Sequence, residues 1–420
     1  MNKRQFIKTF AATGMSLPAF GKNLDTALKR ITSQTPEEVA ANEDFWAEVR
    51  KDYKLKPDYI NLENGYYSIA PQPTLQHFLG HVQDVNLEGS YYMRTRQFDD
   101  KLELRKKLAA IAGCSHEELV ITRNTTESLD TVIAGIDWKA GDEAIMAEQD
   151  YGAMLDMFKL QARRYGIVNK IVSVPNNPGS DEEIVSIYEK AITPKTRLLM
   201  ICHMINITGH ILPVKKICDM AHSKGVEVMV DGAHALAHIN YKISDLGCDY
   251  YGSSLHKWLS VPLGTGLLYV KKDKIAGLWQ MFGDMGYKDD DIRKLNHTGT
   301  NPVHTDLTIA DAITYYEKIG RDRKEARLRY LQEYWTRQVR HLPNIVMNTP
   351  AESHRACGIA NVGIATMKPA DMAKTLLTKY KIWTVAIDSP TVKGCRITPN
   401  IYTSTKELDT FVKALKELAA

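Results

Sequence analysis

Between residues 141 and 231 the chain alternates two hydrophobic periods, and that alternation limits the folds open to it more than any other feature. GDEAIMAEQ (141–149), NKIVSVP (169–175), TRLLMICHMI (196–205) and VEVMVD (226–231) are short apolar runs that read as strands. Between them GAMLDMFKLQARRYG (152–166), DEEIVSIYEKAI (181–192) and VKKICDMAHSKG (214–225) carry helical spacing, the last closed by glycine. Repeated strand–helix units of that length predict an α/β fold, a mostly parallel sheet with helices on both faces. In such sheets ligands gather beyond the carboxyl ends of the strands.

A chain of 420 residues with 44% hydrophobic content exceeds what one compact domain usually holds. The composition changes near residue 300. A long charged helical region (311–342) leads to short strands around 359–366, a helix over 370–380, strands near IWTVAI and GCRITPNIY, and a terminal helix from Thr405. The expected division is a leader over 1–30, an N-terminal arm over 31–60, a large domain over 61–299 and a smaller C-terminal α+β domain over 300–420. No internal repeat is present, and the eightfold strand–helix repeat of a lysine-dependent aldolase barrel is missing.

The N-terminus joins a basic start, Lys3-Arg4-Gln5-Phe6-Ile7-Lys8, to a short apolar stretch from Phe10 to Phe20. It resembles a twin-arginine export signal with lysine in the first basic position, and implies a periplasmic protein; without export the protein would be cytoplasmic. No other segment is long and apolar enough to span a membrane. Lys and Arg total 54 against 50 Asp and Glu, and no basic run is interleaved with aromatics, so nucleic acid is not an expected partner. The six cysteines are scattered without a CxxC pair, which argues against a disulfide framework and a structural zinc site.

Several polar residues fall at strand ends. Asp231 follows VEVMV directly, at the carboxyl edge of the sheet, where a buried carboxylate needs a partner. Lys257, in CDYYGSSLHKW, precedes a predicted strand GTGLLYV; a lysine desolvated there has a lowered pKa and becomes nucleophilic. A Schiff-base lysine and an aspartate facing a pyridinium nitrogen are the two groups pyridoxal phosphate requires. In TRNTTESLDTVIAGI (122–136), Thr125 and Thr126 open a helical run and offer hydroxyls and free N–H groups to a phosphate. Alone, that segment reads more readily as an ordinary helix cap. Ser254 and His256 add two phosphate donors beside Lys257.

Taken together and in order, these motifs resemble the class V aminotransferases, fold type I pyridoxal phosphate enzymes, over roughly residues 45–420, and most nearly their isopenicillin N epimerase-like branch. NTTES resembles the family's phosphate turn, with Thr125 and Thr126. EQDYGAM places Tyr151 where an aromatic ring stacks on the cofactor. HMINITGHILP fits H-x-x-N-x-x-G, which implies that Asn206 meets the cofactor's phenolic oxygen. VDGAHAL makes Asp231 the partner of the pyridine nitrogen and His234 a second contact near that oxygen. SSLHKW makes Lys257 the cofactor-linking lysine, with Ser254 and His256 toward the phosphate. HTGTNP puts Thr300 where it reaches the phosphate of the other subunit in a homodimer, and GCRITPNIYTSTKELD puts Arg396 where a substrate α-carboxylate is clamped.

The resemblance implies an enzyme acting on an amino acid or amino-acid-like amine by way of a Cα carbanion, with Lys257 moving the proton. Transamination, epimerisation and β-elimination all remain open beyond that point. Desulfurases of the family use a mobile cysteine upstream of the arginine motif, and WTVAIDSPTVKG (383–394) has none. A catalytically silent protein that binds cofactor or amine is the alternative of a different class. The segment NLENGYYSIAP (61–71) is expected to line the entrance, with Tyr66 and Tyr67 admitting an amphipathic or extended substrate.

Overall fold

The structure, a computed structural model, describes residues 21–31 and 33–420; the twin-arginine-like stretch at residues 3–8 lies outside them. The strands of the N-terminal half are β1 (Ile60–Asn61), β2 (Leu119–Thr122), β3 (Glu143–Ala147), β4 (Val168–Val172), β5 (Thr196–Cys202), β6 (Glu227–Asp231), β7 (Tyr250–Ser254) and β8 (Gly266–Val270). Seven of these form one sheet in the order β2-β8-β7-β6-β5-β3-β4. Each pair from β4 to β7 is parallel; β8 runs antiparallel to both its neighbours. The alternating patterns thus give the expected doubly covered sheet.

Two-residue periodicity builds two separate cores on its faces. Ile145, Ala147, Leu199, Ile201, Val228 and Val230 point to one, under the helices Asp181–Ala191 and Val214–Ser223. Ala144, Met146, Leu198, Met200 and Met229 point to the other, under Thr125–Gly135 and Gly152–Tyr165. Strands buried on both faces have no polar side to lose, which is why they read as continuous apolar runs. Each large aliphatic side chain so placed contributes about 1.5–3 kcal/mol relative to exposure.

The remaining strands, β9 (Ile345–Met347), β10 (Ala360–Ile364), β11 (Ile382–Trp383), β12 (Val385–Asp388) and β13 (Lys393–Ile397), lie toward the C-terminus. Four make an antiparallel sheet in the order β12-β13-β10-β9. It packs with the helices Arg321–Val339, Pro369–Tyr380 and Thr405–Ala419 around Trp335, Leu376 and Phe411. β11 pairs in parallel with β1, tying the entrance segment to this part of the molecule.

The charged helical region over 311–342 is built from two helices, Val303–Ile319 and Arg321–Val339. Gly320 separates them at φ +94°, outside right-handed helical space, and a Cβ there would stand 2.8 Å from Arg323 Nη2. Residues 21–31, which straddle the expected boundary between leader and arm, form a helix (Lys22–Leu28) whose Leu24 and Ala27 are fully buried in the main core. Asn23 donates to Asp52 at 2.7 Å, and Asp25 pairs with Lys318 at 2.6 Å. Among the described residues no helix is long and apolar enough to cross a membrane.

Candidate active site

The carboxyl ends of β5, β6 and β7 bring the site together, because parallel neighbours deliver their last residues to one edge. Cys202 stands opposite Asp231, and Asp231 opposite Gly252. Beyond β7, the turn 255–258 carries Lys257 back across that edge. Gly232 permits the crowding: a Cβ on it would lie 2.0 Å from the Tyr251 hydroxyl.

Lys257 is half-buried, and its Nζ is 3.0 Å from His234 Nε2. Trp258, the next residue and fully buried, donates its indole N–H to His234 Nδ1 at 3.3 Å. That bond fixes the tautomer. A histidine that accepts at Nδ1 and stays neutral carries its proton on Nε2, so Nε2–H points at Nζ and favours the neutral form of the lysine. Burial acts in the same direction on both groups. It holds His234 well below its ordinary pKa, and it lowers Lys257 to about 8, outweighing the opposing pull of Asp231. Trp258 is itself pinned, stacked on His238 at 3.6 Å between centroids, with its carbonyl accepting from Lys324.

Asp231 is buried, its Oδ1 accepts the Ala233 N–H at 2.9 Å, and burial raises its pKa against the pull of that bond and of Lys257. Behind it lie Cys202 and Asp150, the latter pushed up to about 7 chiefly by burial. Asn206 has a buried side-chain oxygen without a partner, and His256 Nδ1 is likewise buried and unpaired. Unsatisfied buried polar atoms at one edge of a sheet are what a polar ligand site leaves when no ligand is present.

The helix Thr125–Gly135 starts beside them. Its Asn124 cap accepts from Glu127, while Thr125 N–H and Oγ1 both bond Ser254 Oγ, at 2.9 and 2.7 Å. Thr126, in the second helical position, has no intrahelical acceptor for its N–H. Gly266 lets this helix start approach β8, since a Cβ there would stand 2.7 Å from Asn124 Cα. Hydroxyls, the free Thr126 amide and the positive end of the helix dipole form an anion cradle.

Arg396, on β13, is 6% exposed and bonded to Glu63 through Nη2 (2.5 Å) and Nε (3.1 Å); its Nη1 donates to the Asn206 carbonyl at 3.3 Å. Glu63 was not visible from local pattern, because it meets Arg396 from 333 residues away. Trp258 was adjacent to the lysine in sequence, but nothing in that adjacency announces a bond to His234.

The structure therefore gathers Lys257, Asp231, His234, Asn206, Ser254, Thr125 and Arg396. His256 stacks loosely on Tyr67 at 6.5 Å. Tyr151 caps the helix Gly152–Tyr165 and is 45% exposed. Tyr66 lies at the rim, 75% exposed, and Thr300 is exposed and makes no hydrogen bond to the cluster. The residues fit pyridoxal phosphate. Asp231 offers an oxygen for a ring nitrogen, Asn206 and His234 polar atoms for a ring hydroxyl, the Thr125–Ser254 cradle a phosphate site, and Lys257 an amine that burial makes easier to deprotonate.

A family profile described as aminotransferase class-V matches residues 68–410. The isopenicillin N epimerase of Amycolatopsis lactamdurans is 28% identical over 398 residues, spanning 89% of this chain and 98% of that protein. A probable cysteine desulfurase of Pyrococcus abyssi is 25% identical over 398 residues, spanning 88% and 97%. Among solved structures, the apo cysteine desulfurase of Thermococcus onnurineus NA1 superposes with a TM-score of 0.78 at 23% identity, covering 88% of this chain and 97% of that one, which shows a shared fold. Profile, relatives and fold agree with the cluster of Lys257, Asp231 and the anion cradle: the chain belongs to the aminotransferase class-V family of pyridoxal phosphate-dependent enzymes.

Proposed function

We propose that this protein is an epimerase-like class V enzyme that removes and returns the Cα proton of an amino acid or amino-acid-like amine. The observation that carries the proposal is the Lys257–His234 contact, which sets an amine whose pKa is lowered to about 8 at the edge where Asp231 is buried. Bound pyridoxal phosphate supplies an electron sink for cleavage of a bond at Cα. Asp231 keeps a proton on the pyridine nitrogen, since a buried carboxylate is most stable facing a positive charge. Lys257, with a pKa near the working pH, takes the Cα proton and holds it at Nζ. His234 aims its Nε2–H, and Trp258 holds that proton in place. Thr125, Thr126 and Ser254 anchor the phosphate.

The β-lyase reading rests on the desulfurase relatives. Cys395 is fully buried in β13, and burial pushes its thiol up to about 11, so it is no counterpart of a mobile nucleophile. Incubating the holoenzyme with a pool of L-amino acids and L-amino-acid amides in D2O tests the proposal. Accumulation of Cα-deuterated D-isomers, abolished in Lys257→Ala, is the expected result; pyruvate with ammonia, or keto acids, refutes epimerisation in favour of a lyase or an aminotransferase. Export through the Lys3–Lys8 signal and a homodimer completed by Thr300 are the accompanying proposals, tested by cell fractionation and by sedimentation of the purified protein.

A further inference from the structure

The family pattern gives Arg396 to a substrate α-carboxylate, yet in this fold the guanidinium already has a carboxylate. Glu63 takes Nη2 and Nε side-on, at 2.5 and 3.1 Å. Its placement is built in. The Glu63 side chain is 4% exposed, Oε1 also accepts the Tyr66 N–H at 3.0 Å, and the residue forms a β-bridge with Thr398. Thr398 in turn binds the backbone of Asn64 and Gly65, at 2.6 and 3.0 Å. Gly65 lies against the guanidinium, where a Cβ would stand 3.3 Å from Cζ. Moving Glu63 aside would break these contacts together and strand a buried charge, which is costly.

The pair is neutral as a unit. An incoming carboxylate would gain Arg396 only by lying against the Glu63 carboxylate, and like charges in a desolvated site repel. A guanidinium has five N–H donors. Three are engaged, by Glu63 twice and by the Asn206 carbonyl once, so two remain. Two N–H groups on a neutralised guanidinium suit a carbonyl oxygen that brings no charge. Tyr66, bound to Glu63 through its amide and 75% exposed, puts this end of the site at the surface, where a chain continuing beyond that carbonyl has a way out.

We infer that Glu63 makes this site select a primary amine whose Cα carries a carboxamide, such as an amino-acid amide or the N-terminal residue of a peptide, over one carrying a free α-carboxylate. The inference rests on the proposed function, because the amine must reach the position of Lys257.

The test is equilibrium titration of the holoenzyme with matched pairs, L-alanine against L-alaninamide and L-phenylalanine against L-phenylalaninamide. Binding is followed by the change in the cofactor's visible spectrum, and dissociation constants are expressed for the neutral amine so that amine basicity does not enter. The amides are expected to bind the wild type at least about tenfold more tightly than the acids, and Glu63→Gln to tighten the acids about tenfold while moving the amides less than about threefold. Acids that bind the wild type as tightly as their amides overturn the inference, whatever the variant does. A preference that Glu63→Gln leaves unaltered overturns it as well, since Glu63 is then not its source. The wild-type ranking needs no variant and so survives a misfolded one. If none of the four ligands changes the spectrum, the proposed function falls, and this inference with it.

Discussion

Replacing Trp258 with Phe separates the hydrogen-bond relay from mere packing. In the native fold the indole N–H holds His234 with its proton on Nε2, and that proton favours the neutral form of Lys257. Phe removes the donor and leaves Nδ1 unpaired. His234 can then carry its proton on Nδ1, and Nε2 becomes an acceptor for the lysine ammonium. A hydrogen bond of this kind contributes about 1 kcal/mol. At about 1.4 kcal/mol per pKa unit, Lys257 should rise by roughly 0.7 from its value of about 8. The assay is the pH dependence of Lys257 reductive methylation in cofactor-free protein, read by peptide mass spectrometry. Trp258 is fully buried, so the variant also loses about 1–3 kcal/mol of stability, and chemical denaturation must show that it remains folded. Loss of packing alone predicts lower stability with an unmoved pKa. A shift below about 0.2 in a folded variant would refute the tautomer argument. The same substitution placed in a His234→Asn background should do nothing to the lysine, because the two effects run through one ring.

Three further outcomes follow from the same contacts. Leu24→Ala should cost about 2–5 kcal/mol in urea denaturation, because Leu24 is fully buried in the main core; a loss under about 0.5 kcal/mol would mean that residues 21–31 are not part of the folded body. Burial pushes the Asp150 carboxyl up to about 7, above the usual carboxylate range, so the folded state holds the extra proton and stability falls as pH rises from about 4 to 7. Asp150→Asn should flatten that slope, and an unchanged pH–stability curve would count against it. Gly266→Ala should push the start of the Thr125–Gly135 helix off β8 and weaken retention of pyridoxal phosphate about tenfold or more, measured by equilibrium dialysis; unchanged retention would show that the cradle does not depend on that approach.

Much of the molecule is written locally. Apolar runs such as TRLLMIC and EVMVD, set between helices of regular spacing, determine a sheet buried on both faces, because a strand with no polar side can rest only between two layers. Asp231 at a strand end, Lys257 after the last parallel strand and the threonines at a helix start were legible for the same reason: each position relative to its own element decides where it emerges. Contacts across the chain were not legible. A bond between Glu63 and Arg396, a β-bridge from Glu63 to Thr398, an indole donating to a histidine 24 residues earlier, and Leu24 sunk in the core beside the sheet strands leave no periodic trace. They depend on the final packing of elements, which local propensity does not specify. The sequence by itself therefore determined the fold class and the element on which each of these candidate residues sits. Only the tertiary structure decided that the arginine of the site is already neutralised and that the lysine faces a histidine with one fixed proton, because both are settled by which side chain arrives from elsewhere to fill a buried valence.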